Sequence, residues 1–256
     1  MEVFEIGQKS FLKFKNLTQA GIFHFSTTKA GWRQNGKARF TGDEEGSYQL
    51  YREELAKALG IGSQQLVFPR QVHGDRIVIP DPSGSNTDIV NTDALVTNRR
   101  GVCICVQTAD CVPILLYDPR RQVIAAVHAG WRGTLNKIVE KTIHRMELHF
   151  DCEAEDLIAG IGPSIHHHVY EVGADVIFPF RENFANHREI LKPSPREGKA
   201  FLDLWAANKS VMVASGMKEE NIEIMGLCSW SHEPLFYSAR RDGPATGRMA
   251  TGIMLE

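Results

Sequence analysis

No stretch of the sequence is apolar for long enough to span a bilayer, and no long block of one charge sign occurs. The first absence excludes a helical membrane protein. The second argues against nucleic acid as a partner, since nucleic-acid proteins usually carry a basic face or tail. Formal net charge is -2 over 256 residues. The opening MEVFEIGQKS lacks the basic-then-apolar order of a secretory signal, so a cytoplasmic protein is expected. Cysteine is sparse, 5 in all, an odd number without the spacing of a disulfide framework, and reduced thiols are the simpler reading. Internal repeats, low-complexity tracts and an interdomain linker are also missing, which leaves residues 1–256 as one domain.

What is present is ordinary globular material, 43% apolar and 23% charged, enough to bury a substantial core. Val3–Ile6 and Phe11–Phe14 read as a hairpin around Gly-Gln-Lys-Ser, and Gly21–Thr28 alternates as a third strand carrying His24. Ala30–Gly46 reads as a loop. Tyr48, Tyr51, Leu55 and Leu59 recur at helical spacing, with Gly60 as the stop. Leu66–Val72 and Ile77–Ile79 read as short strands around a tight HGDR turn. A polar loop over Asp81–Thr92 precedes strands at Ala94–Thr97 and Val102–Gln107. Further on, a helix is expected from Thr134 to Phe150, with Thr134 as N-cap and a stripe of Leu135, Ile138, Val139, Thr142, Ile143 and Met146. Leu157–Ile161 is a strand, Ala174–Phe180 a short helix, and Arg181–Lys199 a polar segment. Asp203 caps a helix ending near Gly216, Ile222–Gly226 is a strand, and the tail holds two more strands around a Gly-rich turn. The fold class that follows is α/β, with many strands and few helices.

The chain is organised around Gln107–Thr134. Two apolar runs, Val112–Tyr117 and Val123–Val127, are joined by Asp-Pro-Arg-Arg and read as paired buried strands. Cys111 stands before the first and His128 closes the second, so antiparallel pairing brings thiol and imidazole to one sheet end. His73, on a Gly turn, is the best third residue. Cys111, His73 and His128 would make a one-sulfur, two-nitrogen set for zinc, with a fourth position open as in catalytic sites. Such a metal lowers the pKa of water and makes hydroxide available near neutral pH. The plainer readings stand beside this one. His128 reads equally as a hydrogen-bonded histidine at a strand end, and a buried cysteine is most often inert, as assigned to Cys103, Cys105, Cys152 and Cys228. His166, His167 and His168 read as a solvated polar loop, because neighbours in an extended chain point in opposite directions. Arg132 stands beside the expected helix start and suits a phosphate or carboxylate; Arg52, Arg240 and Arg241 are further basic candidates. Each reads equally as a surface charge or ion-pair partner. Asp110 is a candidate acid or base, provided the strand end bends.

The motifs TDALVTN, VQTADCVPILLYDP, AAVHAGWRGT, GIGPSI and RRDG-x3-GRMA resemble the bacterial laccase-domain family, also called the peptidoglycan-editing-factor or polyphenol-oxidase family. The resemblance runs from His24 to the tail and is densest from Asp93 to Thr134. It implies a four-layer α-β-β-α arrangement, mixed sheets sandwiched between helices. It implies metal ligands at His73, Cys111 and His128, a zinc cofactor, and purine nucleosides and phosphate as small-molecule partners. The implied activities are phosphorolysis of adenosine, inosine and methylthioadenosine to free base and ribose 1-phosphate, and deamination of adenosine. Arg52, Arg132 and Arg241 are the arginines expected to hold phosphate or substrate, with Cys111, His128 and Asp110 as the catalytic set. The family also carries an older assignment, copper-dependent phenol oxidation. Multicopper chemistry needs several copper centres and many histidines, whereas one mononuclear site is expected here, so copper there would be adventitious. The chain departs from the family at His166–His168, at Ser231 and in the loop after His24, which bears on substrate preference. Three alternatives remain: a metal-free cysteine hydrolase, an amidohydrolase editing peptidoglycan precursors, and a non-catalytic purine sensor.

Overall fold

Val112–Asp118 and Val123–Ala129 pair antiparallel, with Pro113 opposite His128 and Val112 opposite Ala129. Every residue of both strands is buried, as a near-continuous apolar run requires of a strand covered on both faces. The protein, described here from a computed structural model, is accounted for over residues 2–32, 37–42, 45–80 and 89–256. The expected loops over 30–46 and 81–92 lie partly outside these residues.

The hairpin forms the middle of a six-stranded sheet ordered Ile222–Ile224, Ile158–Ile161, Val112–Asp118, Val123–Ala129, Ala94–Thr97 and Ile77–Val78. A second six-stranded sheet runs Glu2–Ile6, Lys9–Lys13, Phe23–Thr27, Met249–Met254, Cys103–Thr108 and Leu66–Val67. Strand alternation divides the first sheet's side chains between two cores. Leu95, Leu115, Tyr117, Ile124 and Ala126 join residues of the second sheet in one core. Ala94, Val96, Ile114, Leu116, Ala125 and Val127 pack on the other face with Ile138, Val139, Ile143 and Met146 of the Ile138–Phe150 helix and Ala207 and Val211 of the Leu204–Ala214 helix. Tyr51 and Leu55 bring the Glu45–Leu59 helix onto the second sheet's core. The expected α-β-β-α layering is what results. A small third sheet holds Glu171–Val172, Ala200–Leu202 and Leu191–Pro193. Among the described residues no helix is long and apolar enough to cross a membrane.

Four local expectations are corrected. The strands around HGDR do not pair: Leu66–Val67 runs parallel to Cys103–Ile104, and Ile77–Val78 parallel to Ala94–Leu95, so the turn crosses from one sheet to the other. The helix expected from Thr134 is two helices, Trp131–Leu135 and Ile138–Phe150, separated by Lys137 at φ 55. Thr134 caps neither; its buried hydroxyl accepts a hydrogen bond from Asn208 Nδ2 at 3.0 Å. In the tail only Met249–Met254 is a strand, because Ser238 caps a short Ala239–Asp242 helix by accepting from Arg241 N at 3.2 Å. The polar segment 181–199 contains the His187–Ile190 helix and the Leu191–Pro193 strand.

Candidate metal centre

Hairpin register places Cys111, one residue before its strand, opposite Gly130, one residue after its partner. His128 is the next-to-last residue of that strand, 3% exposed, and His73 arrives from the crossing turn. One ligand atom from each of His73, Cys111 and His128 lies within 4.8 Å of the others, and the two imidazoles meet edge to face with ring centroids 4.9 Å apart. Glycine at 130 is what lets them converge. A Cβ there would stand 3.0 Å from Cys111 Sγ and 3.3 Å from His73 Cδ2, tighter than ordinary carbon contacts.

One carboxylate organises two of the three side chains. Asp93, fully buried, accepts from His128 Nδ1 at 2.7 Å and from the His73 backbone N–H at 2.9 Å through Oδ1. Its Oδ2 accepts from the N–H groups of Gly74 at 2.8 Å and Val72 at 3.2 Å. Three backbone donors gathered on one acceptor hold the turn in place of hairpin bonds, with His73 in the left-handed region at φ 61 that side chains enter only where surrounding contacts over-determine it. Because an ionised carboxylate only accepts, the His128 proton on that side is fixed on Nδ1, which leaves Nε2 to face the cluster. Asp93 was not among the expected site residues. The signal available was its position at the head of the strand pairing with that of His128, Ala94 opposite Val127.

Charge in the cluster is set by proximity. Burial alone would push the Cys111 thiol up, but the His128 charge and hydrogen bonds from His128 and His73 bring its pKa down to about 6. Burial would likewise lower His128, yet the Cys111 charge and the bond to Asp93 lift it to about 9. Burial opposes ionisation of Asp93 too, and its bonds to His128 and to the turn hold the carboxyl below its ordinary value. Each charge thus favours the other, the thiolate form of Cys111 and the protonated form of His128, and a metal at the cluster would take the place of the proton between them. The donor set therefore fits a metal: a stabilised thiolate, two imidazoles, an outer carboxylate on one ring, and a backbone cleared of Cβ at the point of closest approach.

The other expected residues fare differently. Asp110 adjoins Cys111 through the bend that such a role required, at φ 95. Its oxygens accept from Ser229 Oγ at 2.6 Å and Arg240 N at 2.7 Å, so it ties the strand end to the tail instead of standing as an open base. Arg241 spends all five N–H donors: Nε and Nη2 on Asp242, Nη1 on the carbonyls of Ser229 and Trp230, and Nη2 also on Phe236 O. Arg52 is buried, donates Nε to Phe40 O at 2.6 Å and lies over the rings of Tyr48 and Phe68. Both are built into the scaffold. Arg132 is exposed, its guanidinium 4.3 Å from the Trp131 ring centroid. Tyr170, whose phenol burial pushes up, lies within electrostatic range of Cys111, Arg240, Asp110 and Arg132. It was not expected. His166, His167 and His168, expected to diverge, instead fold together, with one ring nitrogen of each within 4.8 Å of the others. Cys103 and Cys105 are core, as expected, with Sγ atoms 3.7 Å apart.

A family model described as multi-copper polyphenol oxidoreductase laccase matches residues 24–256. A protein from Bacteroides thetaiotaomicron named purine nucleoside phosphorylase is 35% identical over 261 residues, covering 96% of this chain and 97% of its own. Adenosine deaminase RL5, from an unknown prokaryotic organism, is 37% identical over 248 residues, 91% of this chain and 94% of its own. The crystal structure of YlmD from Geobacillus stearothermophilus superposes with a TM-score of 0.90 at 27% identity, covering 99% of this chain and 98% of that one.

Proposed function

The chain belongs to the family described as multi-copper polyphenol oxidoreductase laccase, and from that premise we propose that it is a cytoplasmic, zinc-dependent purine nucleoside enzyme. It cleaves adenosine, inosine and methylthioadenosine with phosphate to free base and ribose 1-phosphate, and it deaminates adenosine. The observation that carries this reading is the convergence of His73, Cys111 and His128 at one end of the central hairpin, together with relatives named for both activities.

His73, Cys111 and His128 hold the zinc, which supplies Lewis-acid polarisation and lowers the pKa of water. Asp93 keeps His128 in the tautomer whose Nε2 faces inward and keeps the His73 turn closed on it. Arg132 offers an exposed guanidinium of the planar kind that grips phosphate by two parallel bonds. In phosphorolysis a phosphate oxygen bonds to the anomeric carbon as the bond to the purine nitrogen breaks. Positive charge developing on the ribose is then matched by the phosphate that Arg132 positions. The Tyr170 phenol, kept protonated by burial, donates a hydrogen bond to the purine as it leaves. In deamination water replaces the amino group and ammonia departs, a reaction that makes no use of the phosphate subsite.

Metal analysis of the purified protein, followed by chromatography of products from adenosine with and without phosphate, tests this. Zinc in stoichiometric amount is expected, with inosine formed in both conditions and ribose 1-phosphate only with phosphate. Activity that survives chelation and is lost on thiol alkylation would instead establish a cysteine hydrolase. No product from any of the three nucleosides in zinc-loaded protein overturns the proposal.

A further inference from the structure

We propose that His166, His167 and His168 form a second metal site, all nitrogen in its donors, which takes a late first-row divalent cation such as Ni2+ or Cu2+. Three consecutive residues share one side here because the chain leaves the extended conformation at His166 and enters a 3-10 turn over His167–Val169. Val169 N donates to His166 O at 3.1 Å and Tyr170 N to His167 O at 3.1 Å. Ring centroids then stand 4.1 Å apart for His166 and His167, 4.1 Å for His167 and His168, and 4.3 Å for His166 and His168. Nitrogens at about 2.0–2.1 Å from one metal are roughly 2.9 Å apart at the right angles that nickel and copper prefer, and roughly 3.3 Å apart in a tetrahedral site. Starting from within 4.8 Å, closure on an ion asks for ring rotations and no rearrangement of the backbone.

The surroundings are those of a built site. His166 packs on Trp205 at 4.6 Å, and Trp205 is itself pinned by Nε1 donating to Ser164 Oγ at 2.5 Å. Asp203 Oδ2 lies 3.0 Å from His167 Nδ1, a buried ring nitrogen, so a carboxylate stands behind this imidazole as one does behind a ligating histidine. The carboxylate is anchored through Oδ1, which accepts from Ala206 N at 2.9 Å and caps the Leu204–Ala214 helix. The turn is tied at its start, with Ile165 N on Asp110 O at 2.9 Å and His166 N on Cys228 Sγ at 3.4 Å. A solvated loop would spread three imidazoles into water; this one packs them against one another with a carboxylate behind. Imidazole donors without a thiolate select nickel and copper over the oxygen-seeking Mg2+ and Ca2+. The site thus differs in chemistry from the sulfur-containing cluster, and the proposal stands whether or not the nucleoside reading holds.

Equilibrium dialysis of the full chain, carrying one zinc equivalent per chain, against micromolar NiCl2 with elemental analysis decides the matter. One nickel equivalent is expected beyond the zinc. His168→Ala, at an exposed position, and the double variant His166→Gln/His168→Gln should each weaken nickel binding at least tenfold, with zinc content and melting temperature unchanged. Cys111→Ser should lose zinc and keep nickel. No nickel equivalent in the wild type overturns the proposal, and so does one that persists undiminished in both histidine variants.

Discussion

Asp93→Asn separates an organised metal centre from a chance meeting of three side chains. The substitution keeps size and shape but places an NH2 group where one oxygen stood. With the amide oxygen in the Oδ1 position, the bonds from His128 Nδ1 and His73 N survive in weakened, uncharged form. The amide nitrogen then faces Val72 N–H and Gly74 N–H, which bond Oδ2 at 3.2 and 2.8 Å in the native protein, and donors oppose donors. Hydrogen bonds to a charged acceptor contribute about 1.5–3 kcal/mol each. Two lost at a partly buried turn, taken at the lower figure, cost about 3 kcal/mol. For a chain of this size that lowers the melting temperature by roughly 6–12 °C. Loss of an outer carboxylate on a ligating histidine lowers metal affinity by about 10–100-fold. Zinc affinity measured by competition with a chromogenic chelator, alongside thermal unfolding, gives both numbers. A variant that binds zinc within threefold of wild type refutes the role assigned to Asp93, whatever its stability.

Three further outcomes are expected. Gly130→Ala keeps an allowed backbone, φ -71 and ψ 177, but sets a methyl 3.0 Å from Cys111 Sγ; zinc affinity should fall at least tenfold while the far-UV spectrum is unchanged, and unaltered binding would show that the approach is not tight. Arg132→Ala should raise KM for phosphate in phosphorolysis and leave adenosine deamination within twofold; equal losses in both assays would remove Arg132 from the phosphate subsite. His24 gives a pH effect on stability. Desolvation lowers its pKa from the usual 6.5, and its neutral ring accepts from Phe14 N and donates to Ile22 O, both at 2.9 Å. Since the unfolded chain takes the proton first, stability is complete above about pH 6.5 and declines as pH falls toward the lowered folded value, by at most about 1.4 kcal/mol per pH unit. Urea unfolding across that range should show a shallower decline for His24→Gln, and parallel curves would exclude His24 as the cause.

Periodicity carried the reading of long elements. The hairpin over 112–129, the buried stripe of the Ile138–Phe150 helix and the Asp203 cap all follow from local pattern, because burial of alternate or helically spaced residues is written directly into residue order. The meeting of Cys111 and His128 at one end of the hairpin is legible for the same reason: a two-strand register needs only the turn between. Where several donors from distant segments compete for one acceptor, pattern has nothing to report. The QVHG turn resembles a hairpin loop, yet Asp93 claims its backbone N–H groups and carries it from one sheet to the other.

The sequence by itself therefore determined the fold class, the central hairpin and the identity of three convergent donors. Only the tertiary structure decided which neighbours those donors have. It placed Asp93 behind two of them, saturated Arg241 with five local acceptors, sank Arg52 into the core, and turned three histidines from opposed to facing. The physical reason is one of range. Hydrophobic periodicity acts between residues a few positions apart, whereas the protonation and reach of a side chain depend on charges and hydrogen-bond partners that the fold alone brings near.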